Sequence, residues 1–249
     1  MNRNRIEINI CHLYPDVLNL YGDTGNILCL VNRLRWRGIG CKVTELPMGE
    51  PLRSSDHDIF FMGGGQDFEQ SVLLEDANRY KKREIQSAID EEKVFLAICG
   101  GYQILGNYYR THDGQQYDFM GCLDIHTIGH KDRMIGNFMF ACDDLCGETV
   151  VGFENHSGKT YLGDRVKPLG KVIRGGGNNG EDGTEGARYK NVFASYSHGP
   201  LLPKNPKLCD LLLEKALVRK YGEGNLSVLD DELENKAHDY MERRLSVQG

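Results

Sequence analysis

Residues 94–98, "VFLAI", follow a charged run and end at "CGGYQILG". Five apolar residues without alternation make a strand buried on both faces, and such strands belong to parallel sheets covered by helices on each side. The neighbouring segments agree. "RIEINICHLY" (5–14), "IGCKVTELP" (39–47) and "HDIFFMGGG" (57–65) read as further strands. "GNILCLVNRLRWRG" (25–38) reads as a helix capped at its end by Gly38, and "EDANRYKKREIQSAIDEEK" (75–93) as a charged amphipathic helix. Strand–helix alternation of this kind predicts an α/β fold, an open mostly parallel sheet flanked by helices with right-handed crossovers.

After about residue 115 the pattern changes. "FMGCLDIHTIG", "MIGNFMFAC", "ETVVGFEN" and "KNVFASYS" read as short strands with turns between them, antiparallel additions. "GGGNNGEDGTEG" (175–186) reads as a flexible acidic loop. The tail, about 206–249, reads as two helices that either cover the sheet or dock a partner. No composition break divides residues 1–249, so a single domain is expected.

Net charge is −6, which gives no basic field for nucleic acid or for an anionic membrane surface. No run of about 20 apolar residues predicts membrane insertion, and "MNRNRIEINI" lacks a signal-peptide core, so a cytoplasmic location is expected. Eight cysteines then read as free thiols. Cys142 and Cys146 form the one close pair, and without a second pair no metal is expected.

Cys99 sits where a strand turns at once into a helix. A thiol there stands over the carboxyl edge of the sheet, glycines permit a strained turn, and the helix N-terminus favours a thiolate. The amide of Gly100 would face a substrate oxygen, and those of Gly64 and Gly65, after the neighbouring strand, would complete an oxyanion hole. His198, in "FASYSHGP", ends another apolar strand and fits a general base. Each feature also has a plain reading: a buried cysteine, a tight turn, a structural histidine. His156 in "ENHSG" is a rival base, read as a turn residue. "HSGKT" lacks the first glycine of a phosphate-binding loop, since Phe153 stands there.

With Cys99, Gly101, Gln103 and His198 together, the chain resembles the class I glutamine amidotransferases, whose nucleophile motif is G-x-C-x-G-x-Q; here Ala97 replaces the first glycine. The resemblance is nearer to the cobyric-acid-synthase-like branch, and within it to subunits that serve amidation of the cell-wall precursor lipid II. It is carried by "HLYPDVLNLYGDTGN", "GGGQDFEQ", "CGGYQILG", "RMIGN", "GFENHSGKTYL" and "SYSHGPLLPKNP".

The resemblance implies hydrolysis of L-glutamine through a thioester on Cys99, with His198 as base, Arg133 gripping the substrate α-carboxylate and Gln103 contacting substrate or bracing its helix. It implies no cofactor on this chain. It also implies a separate ATP-dependent partner, a MurT-like, Mur-ligase-related ATPase in a heterodimer. The alternatives are a glutaminase for cobyrinate-type amidation, a catalytically silent binding subunit, and a DJ-1/PfpI-like cysteine hydrolase. One departure stands out: many relatives carry a glutamate two residues after the histidine, whereas this chain has Pro200. The group that orients His198 must come from elsewhere in the chain or from the partner.

Overall fold

The computed structural model describes residues 6–65 and 73–247. The later part of "GGGQDFEQ" falls outside them. Among the described residues, sheet one holds β1 (Glu7–Leu13), β2 (Gly40–Leu46), β3 (Ile59–Met62), β4 (Val94–Ile98), β11 (Ala187–Tyr189) and β12 (Val192–Ser195). Their order is β11-β12-β4-β3-β1-β2, and only β11 runs antiparallel to its neighbour. This is the mostly parallel α/β sheet the sequence predicts, except that "KNVFASYS", expected as an antiparallel addition, supplies β12 and pairs parallel with β4. The parallel strands follow a doubly wound 2-1-3-4-5 arrangement, with β12 in fifth place and a switch point between β1 and β3.

Burial explains the apolar runs. All five residues of β4 are buried, and Phe95 stacks on Phe60 of β3 with ring centroids 4.5 Å apart. Helix α1 (Thr24–Trp36) turns Ile27, Leu30, Val31 and Leu34 to the sheet. It ends in the predicted cap: Gly38 adopts φ +69°, while Ile39 N–H donates to Leu34 O and Gly38 N–H to Arg35 O. Before α2 (Lys82–Asp90) the chain makes a π-turn over Ala77–Lys81, a feature the charged pattern does not announce. The turn brings Lys81 fully inside, where it meets Asp76 and lies over the Tyr14 ring.

Sheet two is mainly antiparallel. It contains β5 (Tyr108–Arg110), β6 (Gln116–Asp118), β7 (Ile125–Cys142), β8 (Glu148–Leu162), β9 (Gly170–Arg174) and β10 (Thr184–Glu185). Here the structure departs from the expected short strands. The two segments on either side of "HKDR" join into the 18-residue β7, because the ladder with β8 resumes after an irregularity between Gly129 and Met134. His156 therefore lies in a strand, not a turn. The acidic loop is also not loose: Asn178 and Asn179 are buried, and Glu154 accepts the amides of Gly176 and Gly177.

Two helices complete the chain. Helix α4 (Pro206–Tyr221) packs beside α1, and α5 (Glu232–Val247) crosses sheet two, where Leu245 meets Met139 and Val151. Arg33 of α1 ties them together. It is 2% exposed and makes paired hydrogen bonds of 2.6–2.8 Å to both Asp210 and Asp231. Removing one member of a buried ionic cluster strands the others. We expect Arg33→Ala to lower stability by about 3 kcal/mol, toward the low end of such losses because Asp210 is partly wetted, as measured by urea denaturation.

Candidate active site

Cys99 lies one residue past β4 with φ +48° and ψ −103°. A non-glycine residue there costs roughly 1–3 kcal/mol unless its surroundings hold it. They do. Its amide donates to Ser195 O at 2.9 Å, extending the β4–β12 ladder, and its carbonyl accepts from Gln103 N at 3.0 Å. Gly101 N–H donates to Gly63 O at 3.0 Å, an approach so close that a Cβ on Gly101 would stand 2.8 Å from that oxygen and 2.7 Å from Met62 O. The following helix, α3 (Gly100–Ile104), spans only five residues. What it offers a sulfur anion is a few local N–H groups at its start.

His198 follows β12 by three residues and is fully buried. Its backbone pairs with Phe153 of β8, so the two sheets meet at the histidine. The ring lies over Gly64: a Cβ there would come within 2.6 Å of Cε1. Beside Nδ1, at 4.0 Å, stands Asp23 Oδ1, from the residue preceding α1. That is an ion-pair distance, longer than a hydrogen bond. Burial pushes the His198 pKa down, but the charge of Cys99 and the contacts with Asp23 and Cys99 prevail and raise it to about 10. A His198 that holds its proton therefore faces Cys99, the pairing of an imidazole with a thiol that covalent cysteine chemistry requires.

The other predicted residues land in four different situations. Gly64 N–H donates to Asp23 Oδ2 at 2.7 Å, so it is engaged in holding the carboxylate rather than left for an oxyanion. Gly65 and Gly100 are both buried, Gly100 at the start of α3 next to Cys99. Gln103 does not point out: its Nε2 donates to the buried Tyr196 Oη at 2.9 Å, and Tyr196 continues through Thr160 (2.6 Å) to Thr127 (2.7 Å). Arg133 is exposed on β7, with its guanidinium on Asn155 at 2.9–3.1 Å.

Two residues escaped the sequence reading. Asp23 lies inside "YGDTGN", a segment quoted above without a role, and only the third dimension brings it under His198. Tyr196 braces the floor: its ring stacks on His156 at 3.6 Å, and its hydroxyl joins Gln103 of the cysteine turn to β7 and β8. Below it, Glu185 accepts from Ser195 Oγ at 2.7 Å and from Tyr196 N at 2.8 Å. Burial pushes the Glu185 pKa up to about 7 despite these donors. Among the described residues no group of three or more His, Cys, Asp or Glu could hold a metal ion.

An open parallel sheet with a cysteine on a strained strand–helix turn fits the class I glutamine amidotransferase fold. Solved structures bear this out: PurLQS from Thermotoga maritima superposes with TM-score 0.55 at 18% identity over 78% of this chain and 88% of that one. A glutamine amidotransferase from the same organism gives 0.53 at 16% identity over 96% and 92%. The family model of the CobB/CobQ-like glutamine amidotransferase domain matches residues 9–206, and the chain belongs to that family. Its relatives include the lipid II isoglutaminyl synthase (glutamine-hydrolyzing) subunits GatD of Streptococcus pneumoniae, 43% identical over 87% of this chain and 83% of that protein, and of Staphylococcus aureus, 42% identical over 93% of both. A probable cobyric acid synthase of Methanothermobacter thermautotrophicus is 40% identical, but over 47% of this chain and 25% of that protein.

Two titrations test the electrostatics. Protonated His198 stabilises the fold fully below its ordinary pKa of 6.5, and that stabilisation is lost as pH rises through about 10. In Cys99→Ser the largest upward influence is gone, so imidazole NMR should show the His198 midpoint falling by at least about one unit. Glu185 runs the same way at lower pH: between pH 4.5 and about 7 the folded chain binds the extra proton, so stability falls as pH rises. Glu185→Gln, which keeps a neutral acceptor, should gain on the parent by on the order of 2 kcal/mol between pH 5 and pH 8 in urea titrations.

Proposed function

We propose that this chain is the glutaminase subunit of a two-chain amide-forming ligase, acting in the cytoplasm on L-glutamine. The observation that carries the reading is the meeting of Cys99, His198 and Asp23 over the carboxyl edge of β1, β3, β4 and β12. Cys99 Sγ attacks the carboxamide carbon while His198 holds the thiol proton. The tetrahedral oxyanion lies against the amides of Gly100 and Gly65. On collapse His198 protonates the departing nitrogen, ammonia leaves, and a γ-glutamyl thioester remains. His198 then takes a proton from water, the hydroxide attacks the thioester, and glutamate is released with the thiol restored. Asp23 keeps the imidazole oriented and its positive charge compensated, the task of the carboxylate in a triad.

Arg133 suits the α-carboxylate of glutamine: its guanidinium is exposed and its partner Asn155 is neutral, so the charge is available for a bidentate grip. Gln103 acts through Tyr196 as a brace for the cysteine turn. Ammonia acylation needs an activated carboxylate, and "HSGKT" lies within β8 instead of between a strand and a helix. Activation is therefore assigned to a partner, a MurT-like Mur-ligase-related ATPase that amidates the D-glutamate of lipid II. The relatives named as lipid II isoglutaminyl synthase subunits, matched over nearly their whole length, favour this acceptor over a cobyrinate. Residues 1–249 would form one amidotransferase unit, with the C-terminal helices facing the partner. Among the described residues no helix is long and apolar enough to cross a membrane.

Ammonia release from glutamine is the direct assay, run on the free chain and on the chain co-expressed with its Mur-ligase-like partner. Cys99→Ala should lower the rate by at least about a thousandfold, and Asp23→Asn should lower kcat by about a hundredfold with KM little changed. Parent-level release from Cys99→Ala would overturn the assignment. Amidation of a cobyrinate, not of lipid II, by the reconstituted pair would overturn the acceptor alone.

A further inference from the structure

Away from the catalytic cleft, two of the free thiols meet across the helix layer. Cys29 Sγ of α1 and Cys209 Sγ of α4 are 3.7 Å apart, in van der Waals contact, although 180 residues separate them in the chain. Cys209 is fully buried. Cys29 is half-buried and lines a cavity of about 280 Å³ together with Leu28, Trp36, Leu202 and Pro203, so a small oxidant has a route to one sulfur of the pair. The surroundings are firm: Arg33, one turn beyond Cys29, bonds Asp210, the residue after Cys209, and holds α1 and α4 in register.

We infer that Cys29 and Cys209 form an oxidisable dithiol, closed to a disulfide by low-molecular-weight disulfides such as oxidised glutathione. The Cys29 thiolate attacks one sulfur of the oxidant, forming a mixed disulfide and releasing a glutathione that takes the Cys29 proton. Cys209 Sγ then displaces the second glutathione from Cys29, and its proton leaves with that thiol. Two protein thiols are oxidised to one disulfide, and the oxidant's disulfide is reduced to two thiols. The bond would pin α1 to α4 on both sides of the segment after His198: Gly25 abuts Pro200, and Asn26 Oδ1 accepts from Leu202 N at 2.8 Å.

The test treats the folded full-length chain with oxidised glutathione, blocks remaining thiols, and maps peptides without reduction. The expected product joins the tryptic peptide 6–33 to 208–215. Because Cys11 lies in the first peptide too, fragmentation must place the bridge at Cys29, and Cys29→Ser must abolish it. Closing so long a loop should raise Tm by about 5 °C or more, reversed by dithiothreitol. The inference is overturned if exposed Cys146 becomes glutathionylated while no 6–33/208–215 pair forms, if Cys29 stops at the mixed disulfide, or if the bridge survives in Cys29→Ser.

Discussion

The site depends on how closely two glycine turns approach each other. Gly63 O accepts from Gly101 N, Gly64 N–H holds Asp23 Oδ2, and the His198 ring lies on the bare Cα of Gly64. A side chain at Gly63 would meet Leu18 O at 2.2 Å, and one at Gly64 would displace the imidazole. Backbone contact at this range, unavailable to other residues, lets four strand ends from distant parts of the chain present their groups to one point. The strained Cys99 dihedrals are a consequence: the turn is pinned on both sides, by Ser195 from β12 and by Gly63 from β3.

The polar floor serves the same end. Tyr196 stands two residues before His198, and its hydroxyl is shared among Gln103 of the cysteine turn, Thr160 of β8 and, through Thr160, Thr127 of β7. A buried chain of hydroxyls is costly when incomplete and rigid when satisfied. Here it ties the helix after Cys99 and the strand before His198 to the second sheet, so that sheet two acts as a backing plate for the first.

Much of this was legible in the residues. Uniformly apolar "VFLAI", the glycine pairs after β3 and β4, and the strand-end histidine all report local backbone needs, which a sequence expresses directly. Longer-range features were not. The 18-residue β7 hid behind "HKDR", because charged residues on an exposed stretch look like a turn whether or not a ladder continues past them. The acidic glycine loop looked flexible because part of its order comes from Glu154, a partner more than 20 residues away, and the rest from Asn179 and Asp182 folding back on their own neighbours. Gly64 looked like a free donor because nothing near it in sequence announces Asp23.

The missing acid after His198 has a physical explanation in the residue that replaces it. A carboxylate at position 200 would extend from the same turn as the histidine, whereas Pro200 packs its ring against Gly25, at 2.5 Å from where a Cβ would be. That contact requires glycine two residues into α1 and draws the start of the helix against the histidine turn. Asp23, immediately ahead of α1, is thereby carried under the imidazole, and Asn26 fastens the arrangement by accepting from Leu202 N. Pro200 thus supplies the contact that seats Asp23 beside the imidazole. Pro200, Gly25 and Asp23 make sense as a set, and "YGDTGN" and "SHGPLLP" are two halves of one device.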